Sequence, residues 1–574
     1  MGSGMDNPVS DNDSPQDLMA DFQRAEELRA LSLDLPSLIL GPDQLCDLEL
    51  LLNRALHPLT GYLTRPDYES VLGSMRLGDG RVWPIPICLD VDASLRDRLE
   101  PVRMLALRDQ EGFMLAVLHL EDIWKPDLRR EARLVHGTED PTAHPGVKKL
   151  YERTGEWYLG GRLEGLHPPI HFDYRELRRS PAATKQIFAR NGWGNVLGFT
   201  CEQFLHRAHK EMLLNAAGRA GAGILLHSLV SQNLLGNPEH FTRVRCCERF
   251  IERFPGTMVQ LGLVPLRVRK AGPRQALLEA IVHKNYGCTH TLIDEDHIDP
   301  FGGTGTAHFY PPGEALRIVS GAAREIGITP VSPERLVYVE EKAAFVARQS
   351  VPEGQKVEEI TASELKNRLE SGQRIPEWYS FPEVVAELRK ASPPRSRQGF
   401  TIFLTGLSGA GKSTLAKLLY VKFMEIGTRP VTLLDGDIVR KNLSSELTFS
   451  PEHRFLNIKR MGFVASEITK NGGIAICAPI APYEDARRAA REQVEPYGGF
   501  IEVYLATPLA VCEMRDRKGI YAKARAGKMI GVTGIDAPYE SPAAAEIVLD
   551  TTSLDVIETA QRVLLFLSEN NYVS

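Results

Sequence analysis

The sequence predicts an α/β protein of several domains, and three observations carry that expectation. The chain has 574 residues, and compact domains hold about 150 each, so roughly three to four packing units are expected. From residue 171 onward, apolar strand-like runs alternate with helical stretches, the order that builds parallel sheets. Near residue 406 a glycine-rich loop stands between such a strand and such a helix. Composition agrees with a globular chain, at 43% hydrophobic and 25% charged residues. That balance excludes collagen-like, disordered and disulfide-scaffold classes. Lys+Arg 68 against Asp+Glu 74 leaves a net charge of −6, which gives no general argument for nucleic acid or an anionic membrane as partner. No apolar run reaches the ~20 residues of a bilayer span. The first residues lack the basic-then-apolar order of a signal peptide, so the cytoplasm is the expected compartment. The eight cysteines form no CxxC pair and read as reduced thiols.

Residues 1–170 show strand-like runs at 82–91 and 113–118 with a turn signal at Gly78-Asp-Gly80, which predicts a largely β domain. Residues 171–394 alternate a strand at 195–199 with helices at 209–217 and 274–283, an α/β pattern. Ser392-Pro-Pro-Arg-Ser-Arg-Gln398 reads as a linker. Residues 395–574 form a further α/β domain, with strands expected at 400–405, 431–434, 473–477 and 500–506. No fixed-period repeat points to a solenoid.

Gly406-Leu-Ser-Gly-Ala-Gly-Lys-Ser-Thr414 fits G-x-x-x-x-G-K-[ST] in its required context of strand, loop and helix. Gly406, Gly409 and Gly411 let the backbone wrap a phosphate, with the N–H groups of Ser408, Ala410 and their neighbours turned inward. Lys412 neutralises β/γ-phosphates, and the hydroxyl of Ser413, followed by Thr414, suits Mg²⁺. Asp435 and Asp437 fall at the end of the next strand. There they suit Mg²⁺ binding and orientation of an attacking hydroxyl, although a solvated acidic turn looks the same in isolation. Arg454, Asn457 and Arg460 recur every third residue and share a helix face. Such a face suits an anionic acceptor or, taken alone, plain solvation.

Residues 399–574 resemble adenylyl-sulfate kinase over nearly their whole length. The motifs are the P-loop, Leu434-Asp-Gly-Asp437 with Arg440, Phe449-Ser450, Arg454-x-x-Asn457, Cys512-Glu-x-Arg515, Lys518-Gly-Ile-Tyr521, Lys523-Ala-Arg-Ala-Gly527 and Thr533-Gly-Ile-Asp-Ala-Pro-Tyr-Glu540. The resemblance implies transfer of the ATP γ-phosphoryl group to the 3′-hydroxyl of adenylyl sulfate. It implies that Lys412, Asp435 and Asp437 are catalytic, and that Arg515 lies at the ATP adenine. Arg440, Phe449, Arg454, Asn457, Ile480 and Lys523 are expected at the acceptor, and 518–536 as a mobile lid. Two departures stand out. Ile530-Gly-Val532 replaces the family's Lys-Gly-Phe, and Ala481 replaces a frequent Ser.

Residues before 390 resemble ATP sulfurylase, through His57-Pro-Leu-Thr-Gly-Tyr62, Pro84-Ile-Pro-Ile-Cys-Leu-Asp90, Tyr158-Leu-Gly-Gly161, His206-Arg-Ala-His209, Ala271-Gly-Pro-Arg274 and Lys284-Asn-Tyr-Gly-Cys-Thr-His290. This implies a PUA-like β domain followed by a Rossmann-like nucleotidylyltransferase domain, and a homo-oligomer. At the family's sulfate-binding segment, Thr200 replaces Gln, Glu202 replaces Arg and Gln203 replaces Asn. Asp294-Glu295-Asp296 aligns with the family's Gly-Arg-Asp. His206 and His209 match triphosphate-binding histidines. Each Arg-to-Glu exchange changes local charge by two units, and one charge pair at ~4 Å is worth about 4 kcal/mol at an effective dielectric of ~20. The sequence therefore favours a kinase fused to a degenerate sulfurylase. A fully bifunctional enzyme is the alternative, and a sulfurylase-like part that only binds nucleotide or assembles subunits is compatible with the first reading. A P-loop GTPase is disfavoured, because Cys477-Ala-Pro stands where Asn-Lys-x-Asp belongs.

Overall fold

The computed structural model describes residues 17–99, 103–230, 238–294, 297, 299–300 and 308–573. The chain divides into two compact units. One holds residues up to Leu365 together with Ile375–Ala391; the other holds Lys366–Arg374 and the chain from Ser392.

In the first unit, β1 (Ser37–Ile39), β2 (Gly61–Tyr62), β3 (Leu89–Val91), β4 (Met104–Arg108), β5 (Met114–Trp124) and β6 (Trp157–Gly165) make one sheet. Its order is β1-β4-β5-β6-β2, with β3 also on β6. Helices Pro42–Leu52 and Arg65–Ser74 belong to the same region, so it is less purely β than the sequence suggests. Only 89–91 of the expected 82–91 strand pairs in the sheet. Pro84 and Pro86 supply no ladder donors, and the Trp83 indole instead donates to the Ile85 carbonyl at 2.8 Å.

β7 (Val196–Cys201), β8 (Gly223–Leu229), β9 (Val259–Val264), β10 (His290–Leu292) and β11 (Thr329–Val331) form the second sheet of this unit. They run parallel in the order β11-β10-β7-β8-β9. Ile224, Leu225 and Leu226 are buried in succession, as expected for a strand covered on both faces. A small hairpin, β12 (Leu336–Val339) and β13 (Ala344–Ala347), follows.

The second unit is a parallel sheet of β14 (Phe400–Gly406), β15 (Val431–Asp435), β16 (Ile474–Ala478), β17 (Gly499–Leu505) and β18 (Ile547–Leu549). The order is β15-β16-β14-β17-β18. Side chains alternate between two cores. Phe400, Ile402 and Leu404 join Leu415, Leu419 and Phe423 of helix Lys412–Ile426, while Phe403 joins Ile458, Met461 and Ala465 of helix Pro451–Lys470. Strand order reverses beside β14, so the carboxyl ends of β14, β16 and β15 open a crevice at a switch point. Among the described residues, no helix is long and apolar enough to cross a membrane, and the eight cysteines are free thiols.

Candidate active site

The loop after β14 is shaped by backbone that only glycine adopts without strain. Gly409 and Gly411 have φ of 82° and 99°, and a Cβ on Gly409 would lie 2.8 Å from the Cys512 carbonyl oxygen. Lys412 opens the following helix and is buried. Its Nζ donates to the carbonyls of Gly406 at 2.8 Å and Leu407 at 2.7 Å. Burial pulls its pKa down to about 8. Ser413 Oγ donates to Asp435 Oδ2 at 2.8 Å. The other Asp435 oxygen accepts the Asp437 backbone N–H at 3.0 Å and caps helix Gly436–Leu443. Ser413 and Asp435 thus bring two hard oxygens together beside the loop, a donor set that fits Mg²⁺. Asp437 is exposed and ion-paired with Lys518.

A second wall rises from helices Gly436–Leu443 and Pro451–Lys470. Arg440 donates to the carbonyls of Leu447 and Thr448 at 3.1 and 3.0 Å, and its guanidinium lies 4.4 Å above the exposed Phe449 ring. Burial, aided by Arg454, lowers the Arg440 pKa. Arg454 donates to the Phe449 carbonyl at 2.8 Å, to Thr533 Oγ1 at 2.7 Å and to the Gly531 carbonyl. Asn457 is buried, and its Oδ1 has no hydrogen-bond partner. Arg460 departs from the shared cationic face, because it binds the Leu443 carbonyl and Glu446. The Ile480 carbonyl accepts Thr405 Oγ1 at 2.7 Å, so this residue contributes backbone to the crevice floor. Lys523 is exposed on helix Ile520–Arg525.

Thr551, not singled out from the sequence, and Tyr521 and Lys518 of the expected lid tie the site together. Thr551 Oγ1 accepts from Arg515 at 2.8 Å and lies 3.2 Å from the Ala410 carbonyl, joining Arg515 to the phosphate loop. Tyr521 donates to the Ser408 carbonyl at 2.9 Å. Lys518 reaches Asp437 from the start of the expected lid. No spacing rule links Thr551 to residue 410. At the end of the lid, Val532 is buried in the apolar core, so it does not stand out as a stacking face.

The positions expected at a sulfurylase site lie in the first unit. Thr200 Oγ1 and His283 Nε2 are 3.0 Å apart. The His209 ring accepts the His206 backbone N–H at 3.1 Å, serving as a helix cap. His206 Nδ1 bonds Ser380 Oγ at 2.9 Å, and its ring lies 4.3 Å from Tyr379. Burial lowers the pKa of both histidines, that of His206 to about 3, so both are neutral. Glu202 and Gln203 are exposed. The Glu202 carboxyl nevertheless sits among protein atoms beside Glu279, and burial with that carboxylate raises its pKa; Lys270 and Arg243 oppose the rise. Buried Glu279, unmarked in the sequence, lies 3.0 Å from His297. Asp294 follows β10, and Glu295 lies outside the described residues.

Fold and site together define a P-loop phosphotransferase unit joined to a nucleotidylyltransferase-like unit. Residues 398–550 match the adenylylsulphate kinase family, 175–391 the ATP-sulfurylase family and 11–168 the PUA-like domain. The chain is 42% identical to the sulfate adenylyltransferases of Emericella nidulans and Aspergillus fumigatus, over 97% of its own length and 98% of theirs. Among solved structures it resembles the hexameric APS kinase from Thiobacillus denitrificans at 39% identity and a TM-score of 0.79, covering 97% of each chain. The chain belongs to the bifunctional ATP-sulfurylase/adenylyl-sulfate-kinase family, the PAPS synthetases, and is an enzyme carrying both domains.

Proposed function

We propose that this protein is an adenylyl-sulfate kinase whose sulfurylase-like part, within residues 1–394, no longer makes adenylyl sulfate. The observation that carries the kinase reading is the convergence of Lys412, Ser413 and Asp435 opposite a wall of Arg440, Phe449 and Arg454 in one crevice. In this reading Lys412 and the backbone of 406–414 hold the ATP phosphates, and Arg515 lies at the adenine. Ser413 and Asp435, with Asp437 once it leaves Lys518, would hold Mg²⁺, whose charge screens the phosphates. Arg440, Arg454 and Asn457 bind the acceptor, Phe449 stacks on its base, and Ile480 and Lys523 complete its surroundings. Asp437 orients the 3′-hydroxyl and takes its proton as the phosphoryl group moves in line. The 395–574 region is the kinase domain, acting in the cytoplasm within a homo-oligomer.

Loss of the sulfurylase reaction rests on Thr200 and Glu202 at the sulfate position and on the neutral, internally bonded His206 and His209. Adenylyl transfer must bring two anions together, and a carboxylate in place of a guanidinium opposes that approach. The Thiobacillus denitrificans relative, similar along both units, is named as a kinase, whereas the fungal relatives are named for the sulfurylase reaction. Two assays on the full chain decide. Phosphorylation of adenylyl sulfate by Mg·ATP is expected to be robust. ATP formation from adenylyl sulfate and pyrophosphate is expected to be absent, and turnover in that direction would establish the bifunctional enzyme instead.

A further inference from the structure

A group of cations lies in the first unit, built from residues that neither reaction uses. Arg54 is 8% exposed. Its two terminal nitrogens donate to the Leu59 carbonyl and to His57 Nδ1, each at 2.6 Å, and its Nε is buried without an acceptor. Among the described residues, no carboxylate pairs with it in a hydrogen bond. Arginine can only donate, so His57 Nδ1 is the acceptor, and the neutral ring carries its proton on Nε2. The charged groups acting on Arg54 and His57 are cations throughout. Arg81 lowers the pKa of Arg54 after burial has done so, and Arg54, Arg81 and Lys185 do the same to His57. Lys185, half-buried, feels burial and Lys284. Arg81 also engages Asp79 at 2.7 Å.

Backbone geometry holds these groups in place. Asn285 donates to the carbonyls of Ala55 and His57, both at 2.8 Å, and so fastens the 55–57 loop to the end of helix Pro273–Asn285. Lys185 lies against Gly287, and Lys284 against Gly327. Those glycines precede β10 and β11, so the group sits at the amino ends of the parallel strands. Thr200 and Cys201 sit at the carboxyl end of β7. Arg54 itself has φ of 68°, a left-handed conformation in which a glycine would be unstrained. The fold thus holds a buried, uncompensated cation at a position that disfavours any side chain, which is the kind of stored cost found where a ligand supplies the compensation.

We propose that Arg54, His57, Arg81 and Lys185 form a binding site for a tetrahedral oxyanion of the phosphate or sulfate class, separate from both nucleotide sites. Arg54 provides the charge at the floor. The Nε2–H of His57 and the head groups of Arg81 and Lys185 provide donors at the half-buried and exposed rim.

Calorimetric titration of the full-length chain with inorganic phosphate, at constant ionic strength in chloride, tests this. The P-loop also takes phosphate, so Arg54→Gly and Lys412→Ala are titrated separately. Wild type is expected to show two components. Arg54→Gly should lose one and keep the component that Lys412→Ala removes. Glycine accepts the φ at this position, so Arg54→Gly is expected to melt at or above the wild-type temperature without phosphate. Arg81→Ala and Lys185→Ala should each weaken the Arg54-dependent component about tenfold. A sulfate arm separates the sources: equal binding assigns the site to tetrahedral dianions in general, and phosphate preference assigns it to phosphoryl groups. An Arg54→Gly isotherm superimposable on wild type overturns the proposal. Should that variant fail to fold, unchanged phosphate binding in both rim variants overturns it equally.

Discussion

Replacing Lys412 by Met should separate stability from activity. The pKa of this lysine falls from 10.5 to about 8, chiefly through burial. At pH 7 the buried ammonium therefore costs the fold about 3 kcal/mol relative to the unfolded chain. Methionine is close in length and removes that term. It leaves the Gly406 and Leu407 carbonyls without the ammonium donor, a loss of about 1 kcal/mol each. The net change is near zero or about 1 kcal/mol in favour of the variant, which amounts to at most a rise of about 2–4 °C in Tm for a unit of this size. Activity moves the other way. The β/γ-phosphates lose a cation worth about 4 kcal/mol at ~4 Å and an effective dielectric of ~20, or roughly a thousandfold in kcat/KM. Calorimetric melting alongside a coupled assay of ADP release with adenylyl sulfate reads both. A variant that keeps kcat/KM within tenfold of wild type would show that Lys412 does not face the phosphates. A variant that melts well below wild type would refute the assigned burial cost.

Three further outcomes follow from the same geometry. Since Lys412 in the free enzyme loses its proton near pH 8 and bound phosphates favour the charged form, kcat/KM for ATP should fall as pH rises through about 8 while kcat holds to higher pH. In the same protein the unfolded chain binds the extra proton between about 8 and 10.5, so unfolding free energy should gain from this lysine as pH rises across that window, and denaturant melts of Lys412→Met should lack the gain. Thr551→Val removes the hydroxyl shared by Arg515 and the Ala410 carbonyl; a loss of about 1–2 kcal/mol is expected, with KM for ATP raised more than kcat is lowered in steady-state kinetics.

The phosphate loop was legible because strand, turn and helix lie within 27 consecutive residues, from Phe400 to Ile426. Chain-local chemistry dictates each step there. The four strands expected in the second unit stand within a residue or two of their positions, since buried parallel strands are continuous apolar runs. β18 escaped notice because Ile547–Leu549 is only three residues long and gives no period to read. Arg460 matched the helical spacing of Arg454 and Asn457, but spacing cannot reveal that Glu446 sits opposite it. Thr551 and Glu279 matter through neighbours distant in sequence, and neither carries a local signature. In the first region, Pro84 and Pro86 interrupt a run that looks strand-like by hydropathy alone, and only its end at Leu89–Val91 pairs.

The segment after Lys518 is latched at both ends by charges that the proposed kinase reading assigns to substrates. Lys518 grips Asp437 at one end, and Arg454 grips Gly531 and Thr533 at the other. On that reading, an arriving nucleotide must draw these groups away from each other before it can hold them. Part of its affinity is therefore spent on unlatching, and departing products recover it when the latches close again. Such an arrangement trades tightness of grip for speed of release, and it makes turnover sensitive to residues that never touch the transferred phosphoryl group.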